Sequence, residues 1–180
     1  MCGRYEFNLS SSKKGKQIKE RAERLKLTYK EGEIFPDDDV LCMIPVESKI
    51  DLKVMKWGIR NKSFQINARV ESLNDRISYA QMKSRRCAVI CNGFYEWDKD
   101  KNRYYFHTDE EFIYLACIFN DKNELLILTQ AADEEFSKVH SRCPIIMDQN
   151  EMLKYIHNED GIFQKKDLIY EKEEKEITLF

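Results

Sequence analysis

The stretch RRCAVICNGFYEW, residues 85–97, limits the fold more than any other part of the chain. Small and branched apolar residues run from Cys87 to Cys91, then Asn92-Gly93 intervenes, then an aromatic-rich segment follows. A short apolar run bounded by turn residues predicts a buried strand. Asn-Gly between two apolar stretches predicts a tight hairpin turn. Strand alternation would put Phe94 and Glu96 on one face and Tyr95 and Trp97 on the other. A chain built around such a segment has to bury a β-sheet.

The remaining patterns agree. Leu41–Pro45, Leu52–Trp57, Phe64–Val70 and Glu124–Thr129 have strand character, and Tyr104–His107 with Phe112–Phe119 predicts a second hairpin turning near Thr108–Glu110. Ser10–Leu27 predicts a helix with a serine-rich start and Ile18, Ala22 and Leu25 on one face. Leu73–Met82 and Asp133–His140 predict short helical pieces, and Asp148 with Glu151 three residues on predicts a capped helix ending before Gly161. Glu31–Asp39, with Gly32, Pro36 and three aspartates, predicts a loop, and Ile177–Phe180 a closing strand. Strands outnumber helices and are joined by short turns. The expected fold is therefore α+β, mainly antiparallel, one domain over residues 1–180.

No apolar run reaches the roughly 20 residues that span a bilayer, and the first residues lack a basic-then-apolar leader pattern. We expect a cytoplasmic protein without membrane contact. In a reducing compartment Cys42, Cys87, Cys91 and Cys117 pack as small hydrophobes rather than disulfides. Close ligand pairs are missing, so we expect no metal and no organic cofactor; the weaker zinc option is Cys143 with His140 and another ligand. The formal net charge is -2, but Lys53 to Arg86 holds nine cations against Glu71 and Asp75. Such a segment is either a solvated basic face or a cradle for phosphates.

Several residues could carry chemistry. In INARVES, alternation puts Asn67, Arg69 and Glu71 opposite the apolar Ile66, Ala68 and Val70. A buried Glu96 among aromatic neighbours would have a raised pKa and could serve as general acid or base; an exposed one would be a hairpin end. His140 and Arg142 lie in VHSRCP, where a short helix gives way to a Pro-containing turn. Cys2 follows the start methionine. Removal of Met1 would leave an α-amine, ordinarily titrating near 7.7–8.0, beside a thiol. Such a 1,2-aminothiol condenses with an aldehyde to an imine, and the thiol then closes a thiazolidine ring. The same terminus suits an N-terminal nucleophile hydrolase. If MCGRY is extended, Cys2 and Arg4 share a side.

In order along the chain, MCGRY, WGI, INARVES, RRCAVICNGFYEW, ILTQAAD and VHSRCP resemble the SOS response-associated peptidase (SRAP) family. The resemblance implies a curved, barrel-like sheet with flanking helices. It implies a monomer that covalently traps abasic sites in single-stranded DNA through a thiazolidine on Cys2, with nucleoid association when bound. Asn67 would position the terminus and the sugar, Glu96 would assist ring opening and imine proton transfers, and His140 would be a second acid/base group. Arg4, Arg69 and Arg142 would hold flanking phosphates, with Arg76, Trp57, Trp97 and Thr129 as further DNA contacts. A thiol-dependent peptidase, acting on its own first residue, and a non-catalytic single-strand binder remain alternatives.

Overall fold

The computed structural model describes residues 2–9, 12–159 and 166–173. In chain order the elements are β1 (Arg4–Phe7), α1 (Lys13–Arg24), β2 (Gly32–Ile34), β3 (Asp39–Val46), β4 (Lys49–Trp57), β5 (Ile59–Arg60), β6 (Phe64–Gln65) and β7 (Asn67–Arg69). A short 3-10 helix at Val70–Ser72 and α2 (Ile77–Ala80) follow. Then come β8 (Arg86–Cys91), β9 (Gly93–Trp97), β10 (Arg103–His107), β11 (Ile113–Phe119) and β12 (Glu124–Ala131). A 3-10 turn at Phe136–Lys138, β13 (Arg142–Pro144), β14 (Ile146–Met147), α3 (Gln149–Ile156) and β15 (Ile169–Lys172) complete the described chain.

Strands dominate, and two sheets share the core. One has the order β15-β10-β9-β1-β2. The other has the order β13-β12-β4-β3-β8-β11-β14, and β12 also pairs with β11. That extra pairing closes β12, β4, β3, β8 and β11 into a ring, so the expected barrel-like sheet is present. Pairing is antiparallel except where β12 meets β4 and β7. One face of the ring carries Cys42, Met55, Val89, Leu115 and Ile127, and the other carries Leu41, Ala88 and Ile90, all nearly or wholly buried. All six cysteines are free and buried.

Both predicted hairpins are replaced by sheet crossings. β8 pairs with β3 and β11, whereas β9 pairs with β1 and β10. The chain therefore leaves one sheet at Asn92 and enters the other at Gly93. Neither residue has positive φ, which the tight turn would require. Gly93 answers a packing need instead: an added Cβ would stand 2.5 Å from the Phe106 carbonyl oxygen and from the Tyr105 ring. Likewise β10 and β11 pair with other strands, and Thr108–Phe112 connects the two sheets.

Other expectations shift in detail. α1 is shorter than predicted and starts after Ser12, whose side chain accepts from the Gly15 amide. The predicted loop at Glu31–Asp39 contains β2, an edge strand paired with β1. Phe64–Val70 breaks into β6, β7 and the 3-10 helix, because β7 pairs with β12 only as far as Arg69. β15, exposed along its length, pairs with β10 at the other edge. α3 carries the predicted capping box, with Asp148 and Glu151 each bonding the other's backbone. The strand expected at 177–180 lies outside the described residues.

Candidate functional site

The site forms where the two sheets meet. β1 runs antiparallel to β9 with Arg4 opposite Tyr95, so the chain ahead of Arg4 lies alongside Glu96. Cys2 is fully buried there, its thiol 3.9 Å from the Arg4 carbonyl oxygen. Strand alternation in β9 turns Phe94 and Glu96 inward, as the sequence predicted, and leaves Glu96 only 3% exposed. β7 brings in Asn67, whose Nδ2 donates to the Cys2 carbonyl at 2.8 Å. The Asn67 Oδ1 is buried and has no hydrogen-bond partner among the described residues.

The fourth residue, His140, lies just before β13. The Arg142 backbone N–H donates to His140 Nδ1 at 3.0 Å, and the Arg142 carbonyl oxygen is 3.1 Å from the same atom. Burial pushes the Glu96 carboxyl above its ordinary range, opposed in part by the positive charge of His140. Burial, followed by the Glu96 charge, pushes the Cys2 thiol well up. Cys143, buried on β13, lies close by: burial, then the Asp133 and Glu96 charges, push its thiol up as well. Cys2, Asn67, Glu96 and His140 thus come together from four separate segments. The arrangement holds an uncharged thiol beside a carboxyl whose pKa is raised, with an imidazole near enough to act on it electrostatically.

The residues expected to contact DNA separate into groups. Arg69 is exposed at the end of β7, next to Asn67, and makes no ion pair among the described residues. Arg76 is exposed ahead of α2, over the Tyr79 ring. Trp97 is partly exposed at the end of β9. Arg4 lies between the rings of Phe35 and Trp97, at 4.0 and 5.2 Å, and its guanidinium is 3.0 Å from Glu33. Strand β1 begins at Arg4, two residues after Cys2, so its pairing does not fix the relative sides of Cys2 and Arg4. Trp57 and Thr129 are both corrected: each is 0% exposed and has no surface to offer DNA in this conformation. Trp57 packs on Tyr5 and donates its indole N–H to the Ile66 carbonyl; Thr129 donates to the Ala68 carbonyl at 3.5 Å.

Arg142 is committed as well. Its guanidinium makes two bonds to Glu71, at 2.7 and 2.9 Å, and Nη2 donates to the Thr129 carbonyl at 2.6 Å. That forked pair holds Glu71 at a pKa of about 2. Sequence reasoning missed this partnership, and also Glu33 and Phe35 beside Arg4, because each lies far away in the chain; it also missed Arg103, which stands opposite Trp97 across the β9–β10 pairing. No group of three or more His, Cys, Asp or Glu among the described residues is arranged to hold a metal ion.

A family model described as SOS response associated peptidase (SRAP) matches residues 1–179. A curated relative, the abasic site processing protein YedK of Escherichia coli (strain K12), is 24% identical over 142 residues, which cover 70% of this chain and 64% of that protein. The chain thus matches less than two thirds of that relative's length. Among solved structures, a Bordetella bronchiseptica protein superposes with a TM-score of 0.73 at 14% identity, covering 97% of this chain and all of the other. A Bacteroides thetaiotaomicron protein gives 0.68 at 18%, covering 86% and 81% of the two chains. A phage-related protein of Bordetella bronchiseptica gives 0.66 at 22%, covering 87% and 82%.

Proposed function

The chain belongs to the SOS response associated peptidase family, and from that premise we propose that it processes abasic sites in single-stranded DNA by bonding to them covalently through Cys2. The observation that carries the reading is the convergence of partly exposed Asn67 and His140 on buried Cys2 and Glu96. A relative that processes abasic sites supports the substrate class.

While Met1 is attached, the nitrogen of Cys2 is a peptide amide and cannot condense with a carbonyl. In a mature chain beginning at Cys2 it is an amine. That amine attacks the aldehyde of the ring-opened sugar, and water leaves as the imine forms. The Cys2 sulfur then adds to the imine carbon while its proton ends on nitrogen, closing the thiazolidine without an oxidant, metal or cofactor. Glu96, its pKa raised by burial, donates to the ring oxygen of the closed sugar as it opens, then takes protons during imine formation. His140 is the second proton carrier. Asn67 fixes the Cys2 carbonyl through Nδ2 and leaves Oδ1 to accept from the amine or a sugar hydroxyl. Burial keeps the thiol protonated, so ring closure relies on these neighbouring bases.

Exposed Arg69 and Arg76 hold flanking phosphates, and Trp97 offers a stacking edge. The protein acts as a cytoplasmic monomer on single strands. The deciding experiment incubates the protein, with Met1 loss verified by intact mass, with an abasic single strand and looks for an adduct that survives denaturation. Wild type forms it and Cys2→Ala does not, with noncovalent affinity kept. An adduct surviving Cys2→Ala overturns the mechanism. Cleavage of a peptide without DNA favours the thiol peptidase instead, and absence of adduct from both proteins favours a plain binder.

A further inference from the structure

We infer that Glu71 is a positioning residue for His140, acting through Arg142. Glu71 follows β7 in the 3-10 helix, while Arg142 opens β13, 71 residues away in the chain. The forked ion pair ties these segments together with bonds of 2.7 and 2.9 Å. Its arginine end is enclosed: the Arg142 side chain is 14% exposed, and its Nη2 also donates to the Thr129 carbonyl. Thr129 stands opposite Arg69 on β7 and opposite Pro144 on β13. One guanidinium therefore pins β7, the strand of Asn67, and β13, the strand after His140, to β12 between them.

The backbone of Arg142 meets the imidazole at Nδ1. When His140 is neutral, the Arg142 N–H donates to Nδ1, so the ring proton sits on Nε2. When His140 is charged, Nδ1–H can donate to the Arg142 carbonyl oxygen, 3.1 Å away. The ring thus keeps its orientation through a proton transfer, provided that Arg142 stays in place. Glu71 supplies that condition from outside the pocket. In the free protein Arg142 then serves as an internal strut rather than a hand held out for a phosphate.

The test uses the full chain and the Glu71→Gln variant, followed by ring-nitrogen NMR of His140 at fixed pH. We expect the wild-type ring to show one tautomer with Nδ1 as acceptor, and Glu71→Gln to move those signals toward a two-tautomer average. If Glu71→Gln does not fold, Arg142→Lys keeps the charge, removes the fork and should show the same change. Unchanged ring signals in the folded variant overturn the inference. A second arm rests on the proposed function: adduct formation slows roughly tenfold or more, while the salt dependence of single-strand binding stays as in wild type. A salt slope reduced by about 0.7 in Arg142→Gln, which removes the charge, with ring signals unchanged, makes Arg142 a phosphate contact and overturns the strut. If wild type forms no adduct at all, the functional reading fails and the NMR arm still decides the role of Glu71.

Discussion

Two carboxylates of the site region show how position sets opposite behaviour in one residue type. Glu96 is desolvated and its pKa is raised, whereas Glu71 meets a guanidinium and falls to about 2. Between the ordinary carboxylate value and the raised one, folded Glu96 keeps a proton that the unfolded chain has released. Stability therefore falls as pH rises through that window. Glu96→Gln removes the penalty, so its melting temperature should exceed that of wild type at neutral pH, with the gap closing as pH falls below the ordinary value. Thermal melts across pH check this; a lower melting temperature for Glu96→Gln at neutral pH would show that its charge is compensated. Glu71 has the reverse sign: its contribution is complete above the ordinary value and is lost as pH falls toward about 2. Its side chain is 51% exposed, so solvent screening holds the contribution to about 1 kcal/mol.

At the scale of elements, local chemistry was legible in the sequence and pairing was not. The Asp148–Glu151 capping box depends on residues three apart, and it formed as read. The inward turn of Glu96 follows from strand alternation alone. The hairpins failed because Asn92-Gly93 and Thr108–Phe112 carry turn chemistry but connect different sheets, a choice made by distant partners. β2 and β15 escaped notice because edge strands need only backbone pairing, and their side chains are largely polar or exposed. The fourfold cluster was legible only as separate candidates; that Asn67 bonds Cys2, or Glu71 bonds Arg142, depends on sheet closure. Gly93 gives this scale its prediction. Its extended backbone would accept alanine, yet the new methyl would collide with the Phe106 carbonyl and the Tyr105 ring at 2.5 Å. Gly93→Ala should cost about 1–3 kcal/mol in denaturant unfolding. No loss would mean that β10 moves aside freely.

Across the whole molecule, charge placement matters more than the net charge of -2. The basic segment from Lys53 to Arg86 is only partly available. Lys56 and Arg60 are neutralised by Asp39 and Asp37, and Arg86 lies over the Tyr155 ring. Arg69, Arg76, Lys83 and Arg85 make no ion pair among the described residues, and of these Arg69 is joined by strand β7 to the residue that bonds Cys2. Fold closure thus sorts cations that look equivalent in the sequence into paired and available ones. Binding of a single strand releases counterions for each phosphate neutralised, giving a slope of about 0.7 per contact in log affinity against log salt. Arg69→Ala should therefore reduce the slope by about 0.7 and weaken binding at low salt. Lys56→Ala, which removes a cation already satisfied by Asp39, should leave the slope unchanged. Titrations of an unmodified single strand at several salt concentrations separate the two cases. Equal reductions for both variants would mean that the strand is held by the averaged field of the segment, and an unchanged slope for Arg69→Ala would remove that residue from the phosphate track.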